Sequence, residues 1–312
     1  MDASSLLDFA RIKPLAAWSL SSAILGGSLA FFLSGGRIAE PWPMAAAMVC
    51  VVLMQYVSHP LNDITDRELD ARAAIAATGR KKPLVNGSAT VGEARMLSVA
   101  IMAVILLIMA GLVAFRPVLI IPASYGVFAV LGYSHSGLRL SYRPFTELYL
   151  AVPVNTIAVL AIAYIGAGTI TTLSVLVALA FGFTASSLFV SMMSMDYATD
   201  REDRKETTVV RYPRSRWCAA FPAIGSIVFI VSMPFAAASL SIGALISMAA
   251  LSVMTFTVLI IIGTRVDRLR FDHLDGLSEG IEARSNGLRL KQLYTSVLYA
   301  VGLSVIFLQQ GV

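Results

Sequence analysis

The stretch Asn62-Asp63-Ile64-Thr65-Asp66-Arg67-Glu68-Leu69-Asp70 sets four carboxylates directly behind an apolar run, 42–61, that is long enough to cross a bilayer. At roughly 100° per residue, Asn62, Asp66 and Asp70 share one arc of a helix, Asp63 lies at its edge and Glu68 points away. A second set follows another apolar run, where Asp196, Asp200 and Asp203 share a face. A charge at mid-membrane costs about 2.5–3.5 kcal/mol, so acids placed near it tend to be functional and to face the bundle interior. Two such faces on separate helices suit a divalent-cation site with Asn62, Asp66, Asp70, Asp196 and Asp200 as oxygen donors. Mg²⁺ takes one or two carboxylates, keeps several waters and accepts substrate phosphates, so opposed acidic faces suit a metal-held diphosphate. The competing reading is a pair of solvated helix ends.

Cations stand beside both acidic sets. Arg72 and the segment Gly79-Arg80-Lys81-Lys82-Pro83-Leu84-Val85-Asn86-Gly87 follow the first, and Arg204 and Lys205 follow the second. Helical spacing puts Arg204 on the acidic face. A third element, Tyr133 to Pro144, offers Arg139 as a phosphate ligand and Tyr133 as a ring that can face a developing cation. Asn62, Arg72, Lys82, Arg139 and Arg204 are therefore the candidate diphosphate contacts. Asp66, Asp70, Asp196, Asp200, Arg139 and Tyr133 are the candidate catalytic set. Basic cytoplasmic loops and interfacial Tyr and Arg anchors explain the same residues through topology alone. His59, His135 and His273 are too scattered for a metal site, Asn155 suits a helix–helix hydrogen bond, and Cys50 and Cys218 sit in apolar runs as small hydrophobes. The segment Arg265 to His273 reads as a charged interfacial loop. Walker, dinucleotide-binding and HExxH patterns do not occur, which excludes the commonest ATP-driven, Rossmann and zinc-protease classes.

The elements that must position these groups are membrane helices. Of 312 residues, 57% are hydrophobic and only 14% charged, against about a quarter charged in soluble domains. Nine apolar runs are spans, at about 15–33, 42–61, 94–114, 117–134, 147–166, 172–194, 217–237, 239–263 and 290–310, with Pro122 and Pro153 expected to kink theirs. Of the 24 Lys and Arg, 22 lie at the N-terminus or after even-numbered spans, with only Arg37 and Arg116 opposite. The expectation is a cytoplasmic N-terminus and motif face and an external C-terminus. The net charge of +5 thus reflects topology, not nucleic-acid binding. Met1 to Asp8 lacks the basic start of a cleavable signal peptide. Thr65-Asp66-Arg67-Glu68 recurs as Thr199-Asp200-Arg201-Glu202, four spans later, which suggests a single domain over 1–312 with a pseudo-repeat of four-helix units at about 15–134 and 147–263.

These residues resemble the intramembrane prenyltransferases of the UbiA superfamily. Asn62, Asp63, Asp66 and Asp70 meet its NDxxDxxxD motif in full, and Asp196 and Asp200 meet its DxxxD motif. Lys82 to Gly87 approximates an Arg-Pro-x-x-x-Gly segment, and Lys13-Pro14 stands where many members carry Arg-Pro. Tyr133 to Arg143 followed by Glu147 looks most like the branch that prenylates 1,4-dihydroxy-2-naphthoate toward menaquinone. Met192 to Met195 before the second motif, and Gly137 where other branches carry Lys, depart from family patterns. The resemblance implies an all-α fold of nine helices around a central cavity, with Mg²⁺ as cofactor. It also implies prenyl transfer from an allylic prenyl diphosphate to a lipophilic, electron-rich acceptor such as a quinone precursor, amid membrane lipid. An intramembrane terpene cyclase and a cation-coupled transporter are the alternatives.

Overall fold

The computed structural model describes residues 3–68, 70, 71, 82–134, 137–276 and 281–311. Among them, nine helices are long and apolar enough to span a membrane: α1 Lys13–Leu33, α2 Pro41–Thr65, α3 Val91–Phe115, α4 Pro117–Ser134, α5 Glu147–Ala167, α6 Thr172–Met195, α7 Trp217–Ala237, α8 Ile242–Leu274 and α9 Gly287–Gln310. The described chain holds no strand. Local chemistry sets several starts. Thr90 and Glu93 form a capping box before α3, Thr171 and Ser174 form one before α6, and Ser241 caps α8. Pro41 occupies the first turn of α2, where its missing N–H is harmless. Pro153 follows a π-helical turn, Glu147–Ala151, and the Tyr149 carbonyl four residues before it accepts the Tyr125 hydroxyl in place of the missing N–H.

The bundle closes around α6, the most buried span, which packs against α5, α7, α8 and α9, while α3 lies at the rim. α2 packs on α3 and α4, and α6 packs on α7 and α8, so the two proposed four-helix units share that contact pattern. With no hydrophobic drive between helices in lipid, close backbone approach through small residues does much of the work. A Cβ on Gly182 would lie 2.4 Å from Thr156 Oγ1, and one on Gly263 would lie 2.1 Å from the Cys218 carbonyl oxygen, fixing the α5–α6 and α7–α8 contacts.

One boundary differs from the hydropathy reading. α8 does not stop near 263 but continues to Leu274, so the segment Arg265 to His273 is helix and not loop. It contains no Gly or Pro to break it, and Asp267 and Arg270 pair at i, i+3. Thirty-three residues make about 50 Å of helix, well beyond a hydrocarbon core of about 30 Å. The overhang carries a buried ion pair, which corrects its reading as a charged interfacial loop.

Candidate active site

Both acidic motifs sit where a spanning helix ends, and each bends at an aspartate. α2 closes at Thr65 with Asp66 at φ −96° and ψ 11°. α6 closes at Met195 with Asp196 at φ −85° and ψ 7°, and a short helix, Tyr197–Glu202, follows. Hydrogen bonds from the Asp70 N–H to the Asp66 carbonyl and from the Asp200 N–H to the Asp196 carbonyl, each 2.8 Å, carry the helical turn on from both bends. Asp63, Asp66 and Asp200 are buried, Asn62 and Asp70 half-buried, and Asp196 and Glu68 exposed.

The two motifs meet at Lys205. Its Nζ lies 3.6 Å from Asp66 Oδ2 and 3.4 Å from Asp200 Oδ1, and 4.8 Å from the centre of the Tyr142 ring. Tyr142 donates its hydroxyl to Asp66 Oδ1 at 2.9 Å. Burial pushes the Asp200 carboxyl up to about 7, and the neighbouring acids Asp196 and Asp66 add to the rise while Lys205 opposes it. Burial acts to lower the Lys205 ammonium, but Asp200 and Asp66 outweigh it and hold the group above its ordinary value. Burial and the adjacent Asp66 raise the Tyr142 hydroxyl, so it stays a donor. Tyr133 lies within electrostatic reach of Lys205, Asp66 and Asp200, and its ring centre is 6.3 Å from that of Phe189 on α6.

On the far side of the first motif, Lys82 Nζ reaches Asp70 Oδ2 at 2.6 Å and Asp63 Oδ1 at 3.2 Å, and the Arg11 guanidinium closes on the same Asp63 oxygen. Burial raises the Asp70 carboxyl, with Lys82 opposing.

The fold does not place every basic residue where helical spacing would. Helical spacing chose Arg204, yet the short helix has ended by then. Arg204 sits in the left-handed region at φ 56°, its N–H bonded to the Arg201 carbonyl (3.2 Å) and the Lys205 N–H to the Asp200 carbonyl (2.8 Å). That Schellman-type cap turns the chain so that Lys205, and not the exposed Arg204, faces the acids. Arg139, also left-handed at φ 41° and exposed, lies over the Tyr142 ring at 5.3 Å, so within the site it touches a phenol and not an acid. Lys13 is exposed while Arg11, at φ 44° between two short helical pieces, makes the N-terminal contact. Arg72 lies outside the described residues, as do 79–81. Arg11 and Tyr142 escaped the pattern reading, which named Lys205 beside the second motif but chose Arg204 over it. For Lys205 and Tyr142 the signal was proximity to the second motif and to Arg139. For Arg11 the sequence held only a basic residue two positions before the Lys-Pro pair.

The match of a family model for the UbiA prenyltransferase family covers residues 19–271, most of the chain. This chain belongs to that family. No curated protein matches it. Among solved structures, a UbiA homologue from Archaeoglobus fulgidus bound to GPP and Mg²⁺ shares 17% identity over 97% of this chain and 99% of its own, with a TM-score of 0.61. A UbiA homologue from Aeropyrum pernix shares 16% over 93% and 97%, at 0.59. A digeranylgeranylglyceryl phosphate synthase shares 12% over 99% and 98%, at 0.57. At these identities the likeness is one of fold, and it extends over nearly the whole of each chain.

Among the described residues, no three His, Cys, Asp or Glu side chains are gathered tightly enough to cage a metal unaided. Mg²⁺ does not require such a cage, since waters and phosphates complete its octahedron. The donor set is chemically apt. It consists of hard oxygens from Asp66 and Asp200, both in reach of one cation centre that the Lys205 ammonium holds, with Asn62 and Asp196 one turn earlier on the same helices. Mg²⁺ fits there.

Proposed function

We propose that the chain transfers an isoprenyl group from an allylic prenyl diphosphate to an electron-rich, lipophilic acceptor of the aromatic or quinone-precursor class, releasing pyrophosphate. The observation that carries the reading is the convergence of Asp66 and Asp200, from two separate motifs, on Lys205. Asp66 and Asp200, aided by Asn62, Asp70 and Asp196, would hold Mg²⁺, which supplies the charge that a departing diphosphate needs. With the metal between the motifs, the Lys205 ammonium would turn from the two carboxylates to the phosphate oxygens. Lys82, on Asp63 and Asp70, and Arg139, over the Tyr142 ring, add positive charge, Arg72 would add a further cation, and the exposed Arg204 steers the anion. As the C–O bond ionises, the Tyr133 ring would face the allylic cation, and the surrounding apolar helices keep water from it. The binding of GPP and Mg²⁺ by the Archaeoglobus homologue supports the same substrate class.

The distribution of basic residues supports a cytoplasmic N-terminus and motif face, and the segment Tyr133 to Arg143 with Glu147 supports a dihydroxynaphthoate-like acceptor. Mass spectrometry of products from a panel of prenyl diphosphates, with and without quinone-precursor acceptors, tests the proposal. Prenylated acceptor and Mg²⁺-dependent pyrophosphate are expected. A cyclic hydrocarbon or alcohol formed without acceptor would assign a cyclase instead, and no pyrophosphate under any condition would end the reading.

A further inference from the structure

The α8 overhang touches the second acidic motif on both sides of Asp196. On one side Arg270, fully buried, donates Nη1 to Ser194 Oγ at 2.6 Å, two residues before Asp196. On the other side the His273 ring meets the Tyr197 ring edge-on, 6.4 Å between centres, one residue after it. The overhang is itself anchored. Arg270 Nη2 bonds Asp267 Oδ1 at 2.9 Å and also donates to the Ser215 carbonyl. The Asp267 carboxylate in turn accepts the Cys218 N–H (3.3 Å) and the Ala219 N–H (3.1 Å), two unsatisfied donors in the first turn of α7. Gly263 allows α8 to cross hard against Cys218, which sets the overhang on this spot. A buried ion pair contributes little net stability compared with apolar packing, so three helix ends fixed by one Asp–Arg pair call for another explanation.

We infer that Asp267 and Arg270 are positioning residues, and that the α8 overhang fixes the bend at which Asp196 leaves α6 and so presents the second motif to the metal and diphosphate. The inference rests on the function proposed above. Arg270 suits the task because its planar fork serves Ser194, Ser215 and Asp267 at once, which a lysine cannot. Groups that orient metal ligands in this way typically change metal affinity 10–100-fold when removed.

The test uses the full-length protein in detergent. The unfolding midpoint is followed while Mg²⁺ is titrated with a non-hydrolysable prenyl thiodiphosphate present, and pyrophosphate release is measured in parallel on the cleavable substrate. Arg270→Ala should raise the Mg²⁺ half-point of the thermal shift by about 10-fold. His273→Ala should raise it less, and Arg270→Lys should fall between Arg270→Ala and the parent. Arg214→Ala, which breaks an exposed pair with Asp275 at the end of the same helix, should leave it unchanged. A variant that loses ligand-free stability but keeps the parent half-point has lost only packing, and that result for Arg270→Ala and His273→Ala would overturn the inference. If Arg270→Ala does not yield folded protein, Arg270→Lys and His273→Ala decide by the same criterion. If the parent protein shows no Mg²⁺-dependent shift, the prenyltransferase reading fails and takes this inference with it. A responsive parent with unresponsive differences among variants sinks the inference alone.

Discussion

The two acidic motifs share four consecutive residue types but not a geometry. In the first, the helix bends at Asp66, within the shared Thr-Asp-Arg-Glu letters. In the second it bends at Asp196, one turn before the equivalent Asp200. The charge partners differ more. Asp63 and Asp70 are held by Arg11 and Lys82, from the chain's beginning and from the segment ahead of α3. Asp200 is held by Lys205, five residues on, and Asp196 is exposed. The first motif is therefore tied into the scaffold by cations distant in sequence, while the second takes its cation from five residues on and keeps Asp196 at the surface. The four shared letters serve two uses, anchorage by distant cations in the first motif and access at an exposed carboxylate in the second, with Asp66 and Asp200 forming the shared centre.

The largest effect should fall on that centre. Asp66→Asn and Asp200→Asn preserve size while removing charge, and each should lower turnover by at least about 10²-fold, the scale of losing one strong electrostatic stabiliser. Glu68→Gln, on the exposed side of the same turn, should retain most activity in the same assay. Near-parent turnover in either Asp variant would dissolve the comparison. The outer acids should then divide by role. Asp196→Asn should raise the Mg²⁺ half-saturation about 10-fold, with a smaller change in unfolding midpoint than Asp63→Asn. Asp63→Asn should act on stability. It leaves Arg11 and Lys82 without their buried carboxylate, at a cost of about 1–3 kcal/mol once the cations' partial exposure is allowed for. Equal stability losses from the two variants would erase the distinction between anchorage and access.

Two smaller effects sharpen it. With the Asp200 carboxyl raised to about 7, a proton competes with Mg²⁺ at neutral pH. The Mg²⁺ half-saturation should therefore fall as pH rises from 6 to 8, and a flat profile over that range in parallel titrations would argue against Asp200 as a ligand. Arg204→Gly should relieve the left-handed residue that turns Lys205 inward, raising stability by about 1 kcal/mol in a thermal melt. Turnover should hold, since the turn and not the Arg204 charge delivers Lys205. A large loss of turnover would return Arg204 to the diphosphate.

Hydropathy and the acid spacing made much of this legible. Nine apolar runs became nine spans among the described residues, and both motifs lie at helix ends that converge. What spacing could not show depends on departures from a regular helix or on distant chain. Extending a helix through Arg204 aims the wrong cation, because the cap after Asp203 cannot be read from residues that lack a glycine. Arg11 and Asp63 are 52 positions apart, and no periodicity links them. Asp267 and Arg270 lay in a segment read as an interfacial loop because charged stretches after spans usually are, and only the crossing of α8 over the start of α7 buries them.

The central claim is that Asp66 and Asp200 work as one site across Lys205, and a double-mutant cycle on turnover tests it most directly. Groups that act as a unit are strongly non-additive. Once Asp66→Asn has removed about 10²-fold, adding Asp200→Asn should cost little more, so the double variant should fall close to the worse single one. Multiplication of the two losses, to about 10⁴-fold, would mean that the carboxylates act independently and that their meeting at Lys205 is not the seat of the chemistry.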